Sequence, residues 1–120
     1  MASEPDEYFE YQGFRIPLRL MPLTGDTAER FPLHCGGQID VLHRLFEIHP
    51  DMSILEIGCG LARSAIPLTK IFSPEGSYLG IDVLQELIDW NVANVTARYQ
   101  NFRFSHVDIR EPWFNPNGPP

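Results

Sequence analysis

Three short runs hold the residues able to do chemistry. Ser53-Ile54-Leu55-Glu56-Ile57-Gly58-Cys59-Gly60 is an apolar stretch with one acid near its end, breaking into Gly-x-Gly. Glycine lets backbone approach a ligand that a Cβ would block. Asp82 stands 22 residues after Gly60, at the end of Tyr78-Leu79-Gly80-Ile81-Asp82-Val83. Asp108 closes a third run, Phe102-Arg103-Phe104-Ser105-His106-Val107-Asp108. A glycine turn after one strand and a carboxylate after the next is how a parallel α/β unit grips a nucleotide-type ligand, the acid taking the ribose hydroxyls.

The elements that must position these residues follow from periodicity and breakers. A helix is expected over Gln38–Ile48, with Ile39, Leu42, Leu45 and Phe46 on one face and Pro50 ending it. Strand one covers Ser53–Ile57, and a helix covers Ala62–Phe72, with Pro67 in or just after its first turn. Ser73-Pro74-Glu75-Gly76 is a turn. Strand two covers Ser77–Val83. A long helix from Leu84 to Tyr99 puts Leu84, Leu87, Ile88, Asn91, Val92 and Val95 on one stripe. Strand three covers Phe102–Val107. The order is a helix followed by βαβαβ, half of a Rossmann-like, doubly wound parallel α/β sheet. Residues 1–37 read as an irregular N-terminal arm. Pro5, Pro17, Pro22 and Pro32 punctuate it, and its aromatics give it something to bury, so it packs over the domain and could form part of a lid. Residues 111–120 read as a loop.

A dinucleotide site wants a third glycine three positions after the second, for close helix packing beside a pyrophosphate. That position is Arg63. A ligand with an adenosine and no pyrophosphate fits better. At this point the three runs resemble, in order and spacing, the motifs of class I S-adenosylmethionine-dependent methyltransferases, over about residues 38–110. The resemblance implies S-adenosyl-L-methionine as cofactor. It implies that Gly58 and Gly60 line its methionine part, with Cys59 and Leu61 contributing mostly backbone. Glu56 would hold the glycine loop or reach the cofactor's amino group through water. Asp82 would take both ribose hydroxyls, and Ile81 and Val83 would flank the adenine. Asp108 would accept from the adenine amine, with the Ile109 amide near a ring nitrogen. No catalytic residue is assigned.

Plainer roles stand beside these. The glycines could form only a strand–helix turn, Asp82 a helix cap, Asp108 a loop acid and Glu56 an acceptor for nearby amides. Cys59 has no helper histidine beside it in sequence, and His106 reads as a strand residue. Trp113 and Phe114 are either substrate contacts or packing aromatics. Arg63 is either a surface residue or a partner of the cofactor carboxylate.

Composition bounds the rest. The 120 residues are 43% hydrophobic and carry net charge −7, which fits one globular domain at most. Lysine occurs once, at Lys70, and the arginines form no stripe, which disfavours a nucleic-acid footprint. Glu4, Asp6, Glu7 and Glu10 form an acidic terminal run, read as solvated. Cys35 and Cys59 are too few for a disulfide scaffold, and no metal-ligand spacing occurs. No run has transmembrane length and no secretory segment follows Met1, so a cytoplasmic protein is expected.

The resembling family has a seven-stranded sheet of order 3-2-1-4-5-7-6, and this sequence supplies strands one to three. Strand one would then have a bare edge. Three explanations stay open: a truncated product, a sheet completed by self-association or a partner chain, or a reduced module whose arm covers the edge. The expected function is the cofactor-binding portion of a methyltransferase with an unidentified acceptor. A non-catalytic cofactor- or partner-binding module is the alternative. An NAD-dependent half-domain is a third reading, disfavoured by Arg63.

Overall fold

The computed structural model describes residues 7–120; Glu4, Pro5 and Asp6 of the terminal run lie outside the described residues. The segment expected to be irregular forms a hairpin. β1 (Tyr8–Tyr11) pairs antiparallel with β2 (Phe14–Pro17), placing Tyr11 opposite Phe14. The two loop residues, Gln12 and Gly13, both have positive φ, 48° and 86°, the turn whose twist suits the flanking strands. Pro17 closes a strand rather than breaking one. Phe14 and Ile16, two apart, are buried on one face. Phe14 lies against Trp90 and Tyr99, and Phe9 and Tyr11 meet Phe31 edge-on at 5.6 and 5.8 Å.

A 3₁₀ turn (Leu18–Leu20) leads into α1 (Met21–Thr24), which ends at Gly25 with φ 70°. α2 spans Phe31–Leu45, so it starts at Phe31 and not at Gln38. Pro32 sits in its first turn, where no backbone partner is lost. Phe31 and Cys35 are buried, and Ile39 and Leu42 continue the face. Leu45 and Phe46, expected on that face, are 68% and 57% exposed. Leu45 is the last helical residue, and Phe46 is already extended (φ −136°, ψ 152°).

β3 (Ser53–Ile57), β4 (Ser77–Asp82) and β5 (Phe102–His106) form a parallel sheet in the order β3-β4-β5. The strands match expectation to within one residue; Val83 and Val107 fall just outside. The register sets Ile57 beside Ile81 and Asp82 beside His106, which brings the strand ends into one row. α3 (Ala65–Leu68) is shorter than the expected Ala62–Phe72 helix. Pro67 has no N–H for the preceding turn, and Ala62 has φ 61°, outside helical space. α4 (Gln85–Asn91) passes directly into a π-helical turn, Val92–Thr96, where one long helix was expected. The wider turn leaves Val92 44% exposed while Leu87, Ile88, Asn91 and Val95 stay buried.

One face of the sheet is covered. Tyr78 and Phe102 are buried in it, with Ile54 and Phe104 packed against the same core as the hairpin, α2, α3 and α4. On the other face Leu55, Ile57 and Leu79 are 61%, 76% and 40% exposed. β3, expected to be central in a full sheet, is an edge strand. Among the described residues no helix is long and apolar enough to cross a membrane.

Candidate functional site

The row of strand ends holds the glycine loop in place. The amides of Gly58 and Cys59 both donate to the Ile81 carbonyl, at 2.8 and 3.0 Å. The Gly60 amide donates to Asp82 Oδ2 at 2.8 Å. Three consecutive loop amides are therefore anchored on the end of β4. From the other side, buried Asn91 donates through Nδ2 to the Gly60 carbonyl at 2.9 Å. Gly58 and Gly60 have φ of 80° and 52°, and a Cβ on either would meet nothing within 4 Å. That open space is a cleft of about 330 Å³.

The cleft brings together six of the nine expected site residues. Gly58, Gly60, Ile81, Asp82, Val83 and Ile109 line it. Cys59 is buried beneath the loop, where desolvation and the nearby Asp82 and Glu56 charges push its thiol well above the ordinary range. Such a thiol is no nucleophile. Cys35 is likewise pushed up to about 12 by burial. Asp108 does not line the cleft; its Oδ1 accepts from Asn115 Nδ2 at 3.1 Å. His106 Nε2 lies 3.1 Å from the Val83 carbonyl, a strand-end contact. Phe114 lines the cleft, whereas Trp113 is 85% exposed.

Asp82 makes two backbone contacts, and neither caps α4, whose N-cap is Leu84 with no side-chain hydrogen bond. Its Oδ1 accepts the Leu84 amide at 3.0 Å, fixing the approach to α4, while Oδ2 fixes the glycine loop. A carboxylate has about four lone-pair sites, so acceptor capacity is left for a diol.

Glu56 faces the other side of the glycine loop, in a separate groove with Gln38, Ser64 and α2. Its oxygens accept from Tyr78 Oη at 2.5 Å and Ser64 Oγ at 2.8 Å, and Ser64 also bonds Gln38. Burial raises the Glu56 carboxyl above its ordinary range, and the Tyr78 and Ser64 hydrogen bonds only partly oppose this. Glu56 thus ties the end of β3 to Tyr78 of β4 and to Ser64. Tyr78→Phe removes one of its two donors and is expected to cost about 1–3 kcal/mol at neutral pH. The sign follows from the raised pKa: folding disfavours ionised Glu56, so stability falls as pH rises from about 4.5 towards the folded-state value. Urea melts should show the cost of Tyr78→Phe narrowing below that pH; an equal cost at pH 7 and pH 4 would disprove the assignment.

Several residues at the site carry weak sequence signals. Asn91 was legible only as a polar residue within an apolar stripe. Arg63, Asp26 and His34 converge from three segments. Asp26 Oδ2 accepts from His34 Nδ1 at 2.8 Å and Arg63 Nη1 at 3.1 Å, and Oδ1 accepts the Thr27 amide at 2.8 Å. Burial works against the Asp26 charge, yet the His34 and Thr27 hydrogen bonds and the His34 and Arg63 charges hold its carboxyl below the ordinary range. Leu23 and Thr24 of α1 also reach the cleft. No group of three metal-ligating side chains occurs among the described residues.

Comparison with known proteins shows the family and the fold. The family model described as protein-L-isoaspartate(D-aspartate) O-methyltransferase matches residues 34–117. A curated "Probable cobalt-precorrin-6B C(15)-methyltransferase (decarboxylating)" of Thermoplasma acidophilum is 31% identical over 64 residues, 52% of this chain and 32% of the relative. A SAM dependent methyltransferase from Aquifex aeolicus has the same fold, with TM-score 0.53 and 19% identity over 78% of this chain and 48% of that one. Coclaurine N-methyltransferase, solved with N-methylheliamine and SAH, gives TM-score 0.53 at 13% identity over 62% of this chain and 22% of its own. The chain spans less than half the length of each of these relatives.

Proposed function

The chain belongs to the protein-L-isoaspartate(D-aspartate) O-methyltransferase family, and from that premise we propose that it is the S-adenosylmethionine-binding portion of a methyltransferase. The observation that carries this reading is the β4 end, where Ile81 and Asp82 anchor three glycine-loop amides and leave a Cβ-free cleft beside a carboxylate. The family and the two named relatives carry different acceptors in their names: aspartyl groups, a cobalt-precorrin and coclaurine. Methyl transfer is what they share.

The residues fit the cofactor. Asp82 would hold the ribose diol, and Gly58 and Gly60 would border the methionine part with bare backbone. Ile81, Val83 and Ile109 would flank the adenine, and Asp108, next to Ile109, would take its amine after releasing Asn115. Glu56 and Cys59 would act from beneath the loop. When bound, the cofactor supplies a methyl group on a good leaving group, so alignment is the protein's main contribution to transfer. The segment before α2 acts as a lid, since Leu23 and Thr24 already line the cleft. The bare edge of β3 and the exposed Leu55 and Ile57 support completion of the sheet by further polypeptide, either a second copy or a partner. The two free cysteines agree with a cytoplasmic setting.

Calorimetric titration with S-adenosylhomocysteine tests the reading. The folded chain is expected to bind it and to ignore NADH. A folded chain with no heat of binding, or one preferring NADH, would remove the proposal.

A further inference from the structure

The cleft has one cationic wall. Of its lining side chains Asp82 and Glu111 are acidic, and Arg63 is the cation among them. Arg63 leaves the loop just after Ala62, whose φ of 61° turns the chain out of the strand–helix path. A non-glycine residue held there is strained, which the surroundings must offset. The turn aims Arg63 at Asp26, whose side chain is fully buried. Asp26 is itself locked in place, its amide donating to Thr24 Oγ1 at 3.1 Å. The guanidinium spends one N–H on Asp26 and has no other partner among the described residues. Arginine carries five donors in a rigid fork. Its side chain is 29% exposed, on a wall shared by the cleft and the neighbouring groove.

A zwitterionic amino-acid end brings a carboxylate that the acids of this cleft would repel. We infer that Arg63 holds the carboxylate of the cofactor's methionine half, and that Asp26 is the positioning residue that aims the fork. This rests on the S-adenosylmethionine reading of the site. His34 shares the Asp26 oxygen and lies on the neighbouring groove, so it shares in positioning without facing the adenosine.

Two probes separate this role from a structural ion pair. S-adenosylhomocysteine has the amino-acid end; 5′-methylthioadenosine has the same nucleoside and thioether without it. Titration of the full chain is expected to show Arg63→Met weakening S-adenosylhomocysteine about tenfold or more, one charge-assisted contact, with 5′-methylthioadenosine unchanged. Asp26→Asn should shift the same ratio by less. Arg63→Lys keeps a charge beside Asp26 and guards against misfolding; it should retain methylthioadenosine binding and lose part of the preference. Equal weakening of both probes, or no change in the ratio for either Arg63 variant, would overturn the assignment. If the folded native chain binds neither probe, the cofactor reading falls first and takes this inference with it.

Discussion

Phe102→Ala is expected to destabilise the fold by about 3–5 kcal/mol, the cost of emptying a buried aromatic site. Phe102 is 1% exposed and opens β5. Its ring stacks on Tyr78 at 5.3 Å and meets Phe72 at 5.6 Å and Tyr99 at 6.1 Å. Those partners come from β4, the α3–β4 connection and the segment between the π turn and β5, so one ring joins the covering layer to the sheet. The void would sit under Tyr78, whose hydroxyl supports Glu56. Domains of this kind have about 5–15 kcal/mol in total, so the variant should populate the unfolded state measurably. Urea denaturation followed by tryptophan fluorescence gives the number, and a cost below about 1 kcal/mol would show that this cluster is not the core.

Asp82→Ala is expected to weaken S-adenosylhomocysteine about a hundredfold or more, because the proposed ribose role gives Asp82 two charge-assisted hydrogen bonds that are lost together. The same change frees the Gly60 and Leu84 amides, which Asp82 holds at 2.8 and 3.0 Å. It therefore loosens the loop that borders the methionine part and the entry to α4. A melt should show a loss of about 1–2 kcal/mol alongside the binding defect. Asp82→Asn keeps one oxygen acceptor and should fall between the two. Native-like affinity in Asp82→Ala would contradict the ribose role and leave only the structural contacts to the Gly60 and Leu84 amides.

The parts of this architecture visible in sequence are those fixed by local pattern. β3, β4 and β5 announce themselves as short apolar runs. The Gly-x-Gly and Asp82 lie where parallel α/β units place ligand groups, so their convergence follows from topology alone. The hairpin is hidden because Gln12-Gly13 is a weak turn signal and because prolines read locally as breakers. Pro17 in fact ends a strand, and Pro22 and Pro32 sit in first helical turns. The shortening of α3 and the π turn after Asn91 arise from packing and from a missing N–H, which a 3.6-residue period does not encode. The Asp26–Arg63 pair joins residues 37 apart, and nothing local in either segment marks its partner. Tyr78 read as part of the apolar body of its strand, yet its hydroxyl is what lets a carboxylate sit at the end of β3.

The sheet order has a consequence for motion. β4 is hydrogen-bonded on both flanks, whereas β3 is bonded on one. The amides of β4 are thus expected to be released only when the sheet itself comes apart, and to be among the slowest in hydrogen exchange. Because the glycine loop takes its anchors from Ile81 and Asp82, the ligand cleft inherits that slow clock. β3, bonded on one flank only, is expected to exchange faster than β4, so hydrogen exchange should separate a fast margin from a slow centre.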